Sequence, residues 1–277
     1  MKAASPFPPV VLAVAPNGGR RTKADHPGIP LTPQELARDA AQCLEAGASM
    51  IHVHVRKPDG AHLLDAEAYR AAIAAIRASV GEKMVIQISS EALGVYSPAE
   101  QSAVVRAVRP EAVSLALKEL APDAAAEGGF ADLLLWLKRE RVATQIILYS
   151  VDEAARLTQM QMRGLVPWKD VPVLFALGRY TIGQTAWPID LLPYLAPQAP
   201  IFRHWMVCAF GRDETACVVA AALMGGHARV GFENNLWLPD GATAKSNSDL
   251  VAAARLALES CGRALASADE LRSMAAA

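Results

Sequence analysis

The stretch MIHVHV, residues 50–55, places two histidines at alternate positions in a run of apolar and β-branched residues. In an extended strand, residues two apart share a face. His52 and His54 therefore lie on one side, with Ile51, Val53 and Val55 on the other. Paired imidazoles on a closed core face need partners for their ring nitrogens. A metal ion or a polar cavity supplies such partners.

Outward from this strand the pattern repeats. The preceding segment opens with TPQE (32–35), in which Thr32 is an N-cap, Pro33 the first helical residue and Glu35 the closing member of a capping box. Gly47 stops that helix just before the strand. SPAE (97–100) and SVDE (150–153) start further helices in the same way. Strands are predicted over 10–15, 50–55, 84–89, 112–117, 144–149, 171–177, 201–207 and 228–233. Helices are predicted near 33–46, 66–79, 98–107, 129–140, 152–163, 187–195, 213–224 and 247–265. Eight strand–helix units without a break in composition predict an α/β fold of the (β/α)8 TIM-barrel type, as a single domain over 1–277. A doubly wound open sheet satisfies the same alternation, because pattern alone does not prove closure.

The 27 Lys+Arg and 28 Asp+Glu leave a formal net charge of -1, which gives no footprint for nucleic acid or an acidic membrane surface. The chain is 52% hydrophobic, yet no apolar run reaches transmembrane length. MKAASPFPPVVLAVAPNGG (1–19) is interrupted by Pro8, Pro9 and Pro16, and reads as a lead-in and first strand rather than a signal peptide. Cys43, Cys208, Cys217 and Cys261 are scattered without a CxxC, as expected of reduced thiols in a cytoplasmic protein.

In barrels of this kind, chemistry gathers at the C-terminal strand ends. The third strand ends QISSEA, offering Gln87, Ser89, Ser90 and Glu91. The eighth reads GGHARVGFENN, with Arg229, Gly231 and Glu233 on one face by period two. Closure brings the first, second and eighth strands together, so His52, His54 and Glu233 can offer two imidazoles and a carboxylate to a divalent ion, zinc first. The plain alternatives are histidines satisfied by backbone and carboxylates, a Glu233–Arg229 ion pair, and serines that cap the next element. His26, His62, His204 and His227 read as surface or structural.

Taken together, TKADHPGIPLTPQELA, CLEAGASMIHVHVRKPDG, VIQISS, GGHARVGFENN and AKSNSDLV resemble the β-keto acid cleavage enzymes, the family of 3-keto-5-aminohexanoate cleavage enzyme. The resemblance runs through nearly the whole chain. It implies a zinc-dependent (β/α)8 barrel, usually tetrameric, that converts a β-keto acid and acetyl-CoA into acetoacetate and a new acyl-CoA. It places the metal ligands on His52, His54 and Glu233, a substrate-binding serine on Ser89, and the arginine engaging the reacting centre on Arg229.

The sequence also departs from a family member. An acid that follows the metal-ligand glutamate there, with a proposed part in proton transfer, is Asn234 here, and an amide is no carboxylate base. A glutamate that recognises the substrate's amino group there corresponds to the NGGRRTK stretch, with Arg20 near that position. A cation at that point suits an anionic or neutral tail. STGG has become SSEA, so Glu91 either replaces the missing acid or pairs with Arg20 or Arg21. Glu119 stands where that member has threonine. Arg229, Glu91 and Asn234 are thus the residues assigned to the reaction centre, and Ser89, Arg20 and Glu119 those assigned to substrate. A metal-dependent aldolase or hydrolase on a non-CoA substrate, or a non-catalytic metabolite-binding paralogue, are the competing functions.

Overall fold

The computed structural model describes residues 7–276, so residues 1–6 of the expected lead-in lie outside it. Eight parallel strands form a closed barrel: β1 (Leu12–Val14), β2 (Met50–Val53), β5 (Val85–Ser89), β6 (Ala112–Ala116), β7 (Ala143–Leu148), β8 (Val173–Leu177), β9 (Trp205–Ala209) and β10 (His227–Val230). The numbers missing from that ring belong to a small antiparallel hairpin, β3 (Val55–Arg56) and β4 (His62–Leu63). Pairing of β1 with β10, Ala13 opposite Arg229, closes the ring and rules out the open sheet.

Helices α1 (Pro33–Ala46), α2 (Ala66–Val80), α3 (Pro98–Val108), α4 (Leu117–Leu120), α5 (Glu127–Arg139), α6 (Val151–Met162), α7 (Glu214–Leu223) and α8 (Asn247–Ser260) surround it. The capping boxes expected at Thr32 and Ser97 are present. Ile51, Val53, Ile86 and Ile88 point outward into the core shared with α1 and α2. The inward faces carry small and apolar groups at the lower end, among them Val11, Ala13, Met50 and Val85. A last helix, α9 (Ala268–Ala276), was not expected from the sequence, and its Ala268, Leu271 and Met274 pack onto that lower cluster. The opposite end, where strands run into loops, is left to polar residues.

Several boundaries differ from expectation, among them the strand expected over 201–207, which is found at Trp205–Ala209, and three of the differences have identifiable physical reasons. The strand expected over 50–55 stops at Val53, because Asn17 binds the backbone of His54 on both sides: Nδ2 donates to its carbonyl at 2.9 Å and Oδ1 accepts from its N–H at 3.3 Å. The strand expected over 228–233 stops at Val230, since Gly231 takes φ +140° and begins a turn. The helix expected over 187–195 is a 3-10 helix over Pro188–Leu195, with Pro193 inside it unable to donate a hydrogen bond. Among the described residues, no helix is long and apolar enough to cross a membrane. The four cysteines are free, with only Cys261 exposed.

Candidate metal centre and active site

His52 and His54 both project into the barrel mouth and are almost fully buried. The Nδ1–H of His52 donates to Gln87 Oε1 at 2.8 Å. Gln87 is held in that orientation by its own amide, which donates to Gln145 Oε1 at 3.3 Å. With Nδ1 protonated, His52 Nε2 carries a bare lone pair. That atom faces His54 Nε2 at 3.2 Å, and Glu233 Oε2 lies 3.7 Å from the first nitrogen and 3.5 Å from the second. Glu233 Oε2 is buried without a hydrogen-bond partner, an expensive state for a carboxylate oxygen unless a cation completes it. One ligand atom from each of the three residues lies within 4.8 Å of the others. Two imidazoles and one carboxylate with an open side form the donor set of a catalytic divalent ion, so these residues fit a metal.

The protonation states agree with that fit. Burial pushes His52 down to about 3, leaving it neutral at physiological pH. Burial alone would raise the Glu233 carboxyl, but the Arg229 guanidinium beside it holds it well below the usual carboxylate range. Arg229 Nη2 donates to Glu233 Oε1 at 3.1 Å and to Cys208 Sγ at 3.2 Å, so one carboxylate oxygen is fixed while the other stays free.

Glu233 arrives through a braced turn rather than through strand alternation. Gly231 N–H donates to Glu214 Oε1 (3.1 Å), Phe232 N–H to Asn247 Oδ1 (2.8 Å) and Glu233 N–H to the Ala15 carbonyl (3.0 Å). A Cβ at Gly231 would sit 2.3 Å from the Ala15 oxygen, so only glycine fits. Asn247 donates in turn to buried Asp39, and Asn235 to Glu214. In the loop after the adjacent β1, Gly18 lies against the Glu233 side chain, and Arg56 ties that loop by donating to the Gly18 and Arg21 carbonyls. Sequence reasoning missed Glu214, Asn247, Asn17 and Arg56. The available signal was a carboxylate or amide at the edge of an otherwise apolar segment, as where Glu214 opens the helix ETACVVAAAL.

Two of these braces make stability depend on pH. Burial, opposed by the Asn247 hydrogen bond, pushes Asp39 up to about 7, and burial pushes Glu214 up to about 8. Each folded-state value lies above the unfolded one, so the stability contribution is complete below about pH 4 and is lost as pH rises through those values. The thermal midpoint is expected to fall between roughly pH 5 and pH 8.5, and Glu214→Gln should flatten that fall. A midpoint that climbs across the window in the wild type contradicts the assignment.

The pocket above the candidate metal site, about 390 Å³ when the open solvent at its mouth is included, is lined by Ser89, Glu91, Tyr149, Arg179, Phe210 and Arg229 besides His52, His54 and Glu233. Ser89 Oγ accepts from the Glu91 N–H at 3.1 Å, leaving its own hydroxyl hydrogen available. The Glu91 carboxylate stands between His54 and Arg179, with Oε2 3.8 Å from His54 Nδ1 and Oε1 3.7 Å from Arg179 Nη2.

A family model described as beta-keto acid cleavage enzyme matches residues 9–276. The chain belongs to that family. Among its relatives, a 3-keto-5-aminohexanoate cleavage enzyme of Fusobacterium nucleatum is 30% identical, over 95% of this chain and 96% of the relative. A 3-oxoadipate:acetyl-CoA acetyltransferase of Cupriavidus necator is 25% identical, over 96% and 94%. In three dimensions the chain is similar to ObcA, solved as a ternary complex with a C4-CoA adduct and oxalate. The TM-score is 0.70 at 17% identity, over 92% of this chain and 68% of ObcA, a likeness of fold.

In this β-keto acid cleavage enzyme the departures noted in the sequence take definite places. Asn234 is fully buried beside the pocket, and neither side-chain polar atom has a partner among the described residues. The ion-pair partner of Glu91 is Arg179, not Arg20 or Arg21 as expected. Arg20 is exposed, and Arg21 donates to the Phe232 carbonyl at 2.6 Å. Glu119 Oε2 accepts from the Ala92 N–H (2.9 Å) and Gln101 (3.1 Å), bracing the loop that carries Glu91. His62 belongs to the site's edge rather than the outer surface: its Nε2 donates to the Glu91 carbonyl at 2.7 Å, and burial pushes it down to about 4. His227 is structural at the far end, where Nδ1 accepts from the Val11 N–H.

Proposed function

We propose that this enzyme is a divalent-metal-dependent acyltransferase, with zinc as the ion, that converts a β-keto acid and acetyl-CoA into acetoacetate and a new acyl-CoA. The observation that carries the reading is the convergence of His52, His54 and the unpartnered Glu233 oxygen beside a second carboxylate, Glu91. Its relatives are named for β-keto acid cleavage and for acetyl-CoA acetyl transfer, which supports the same reaction class.

An ion held by His52, His54 and Glu233 would supply Lewis-acid stabilisation of negative charge developing on the substrate. The Ser89 hydroxyl holds the substrate carboxylate, and the buried Arg229 guanidinium orients the reacting group. Glu91 takes a proton from the carbon between the keto and carboxylate groups. That carbon then attacks the acetyl thioester carbonyl, and the C–S bond breaks to release CoA thiolate. Thiolate attack on the original keto carbon breaks the C–C bond, leaving the new acyl-CoA and an acetoacetate carbanion that recovers its proton from Glu91. Atoms and charge balance without an oxidant or reductant. The same reading places the protein in the cytoplasm as a homotetramer, in keeping with apolar side chains exposed at Ile182, Trp187, Ile189 and Ile201.

The test is incubation of zinc-loaded protein with acetyl-CoA and a panel of β-keto acids, followed by thioester analysis. Equal amounts of acetoacetate and a new acyl-CoA are expected for at least one substrate, with zinc restoring more activity to stripped protein than other divalent ions. Free CoA without a new thioester would identify a hydrolase instead, and no product with any substrate would leave a binding protein.

A further inference from the structure

We infer that Arg179 selects the substrate's tail, and that the substrate class is β-keto acids with a second anionic group, above all β-keto dicarboxylic acids. This rests on the reaction proposed above and narrows its substrate. Arg179 follows β8, which stands four strands from β2 in either direction around the eight-stranded ring. The guanidinium therefore lines the pocket from the wall opposite His52 and His54, with the Glu91 carboxylate between it and His54.

Its surroundings leave its donors unfilled. Arg179 is 9% exposed, with its guanidinium 5.3 Å from the Phe210 ring centre and 5.6 Å from that of Tyr180. Among the described residues its side chain meets one carboxylate oxygen, Glu91 Oε1 at 3.7 Å, beyond hydrogen-bond distance, and donates to no acceptor. A guanidinium set on aromatic faces with open N–H groups is a receptor for a planar anion, and a carboxylate engages it through two parallel hydrogen bonds.

Charge balance points the same way. The charged side chains lining the pocket, besides the imidazoles, are Glu91, Glu233, Arg179 and Arg229, which cancel. A divalent ion brings two positive charges and the β-keto carboxylate removes one. One positive charge remains for the tail to meet. A tail carboxylate neutralises it, whereas a tail ammonium faces Arg179 with like charge. The specificity role that the sequence assigned to Arg20 thus passes to a buried arginine from the other side of the barrel, since Arg20 itself is exposed.

The experiment compares 3-oxoadipate with 3-oxohexanoate, which have the same chain length and differ in the tail carboxylate. The wild type is expected to prefer 3-oxoadipate in kcat/KM by about 100-fold, the scale of a buried charged hydrogen-bonded pair. Arg179→Met should abolish the preference: any loss of the Glu91 ion pair slows both substrates alike, and 3-oxoadipate should lose about 100-fold more in kcat/KM than 3-oxohexanoate. Arg179→Lys, which keeps the charge and loses the fork, should fall between and serves if the methionine variant does not fold. Equal loss on both substrates would make Arg179 a counter-ion for Glu91 only, and a rise confined to the acetyl-CoA KM would assign it to a CoA phosphate. Either result overturns the inference. Calorimetric titration of the metal-loaded proteins with each acid, without acetyl-CoA, keeps this separate from the reaction itself. If no β-keto acid turns over, the proposed function fails, while a wild-type binding preference for the dicarboxylate that Arg179→Met removes still supports the role of Arg179. Absence of any such preference rejects it.

Discussion

His52→Ala is expected to lose its metal and, with it, essentially all turnover. The substitution deletes one of three converging donors and leaves a lone imidazole and a carboxylate, too few to hold a divalent ion in a catalytic geometry. Lewis-acid stabilisation contributes several kcal/mol to such reactions, so the rate should fall by roughly 10³-fold or more. Elemental analysis gives the direct reading: about one ion per chain in the wild type and little in the variant. Gln87→Leu is the graded companion. It leaves all three ligands in place but removes the acceptor that fixes the His52 tautomer, and loss of such an orienting partner costs roughly 10–100-fold in affinity or activity. Equal metal content in wild type and His52→Ala would remove the site altogether.

Glu91→Gln carries the second large effect. The proposed reaction needs a proton removed next to a carbonyl, and Asn234, the residue beside Glu233, is an amide. Glu91 is the pocket's other carboxylate, close to His54 and tethered through its backbone N–H to Ser89. Glutamine preserves its size and polarity. A general base contributes roughly 10²–10⁴-fold, so kcat should drop on that scale while metal content stays at the wild-type level. Should only KM rise, with kcat intact, Glu91 would be a substrate-binding group and the base would lie elsewhere. Comparing 3-oxoadipate with 3-oxohexanoate in this variant also distinguishes it from Arg179→Met, because loss of the base slows both substrates alike.

The barrel was legible because its outward faces are regular. Ile51 and Val53 alternate with His52 and His54, and the same period marks β5 and β6, so burial under helices and exposure to the mouth are both written locally. The two histidines were legible for that reason. Glu233 was reached by period two along a strand that ends three residues earlier, and the placement succeeded because the turn after Gly231 delivers its side chain to the mouth. What could not be read is whatever depends on distant partners. Arg20 and Arg21 are neighbours in sequence to the mouth loop, yet one is exposed and the other is engaged with backbone carbonyls. Arg179, nearly ninety residues from Glu91, faces it in space. Asn17 ends a strand 37 residues away by binding both polar groups of one peptide backbone. His62 looked peripheral because the hairpin that turns it back toward Glu91 was not apparent from its two-residue strands.

The bonds that set Glu233 also fix when, in the life of a chain, the site can exist. Asn247 donates to the Pro16 carbonyl across 231 positions of sequence, and Val10 exchanges backbone hydrogen bonds with Ala264 and Ala266 near the other terminus. Contacts this distant are entropically the slowest to form. During synthesis His52 and His54 emerge well before Asn247, so the turn bearing Glu233 is braced only when the start of α8 has left the ribosome and packed back against the first strand's loop. Until then a nascent chain holds two imidazoles without the carboxylate that completes the candidate metal site, so that site arrives with ring closure rather than residue by residue.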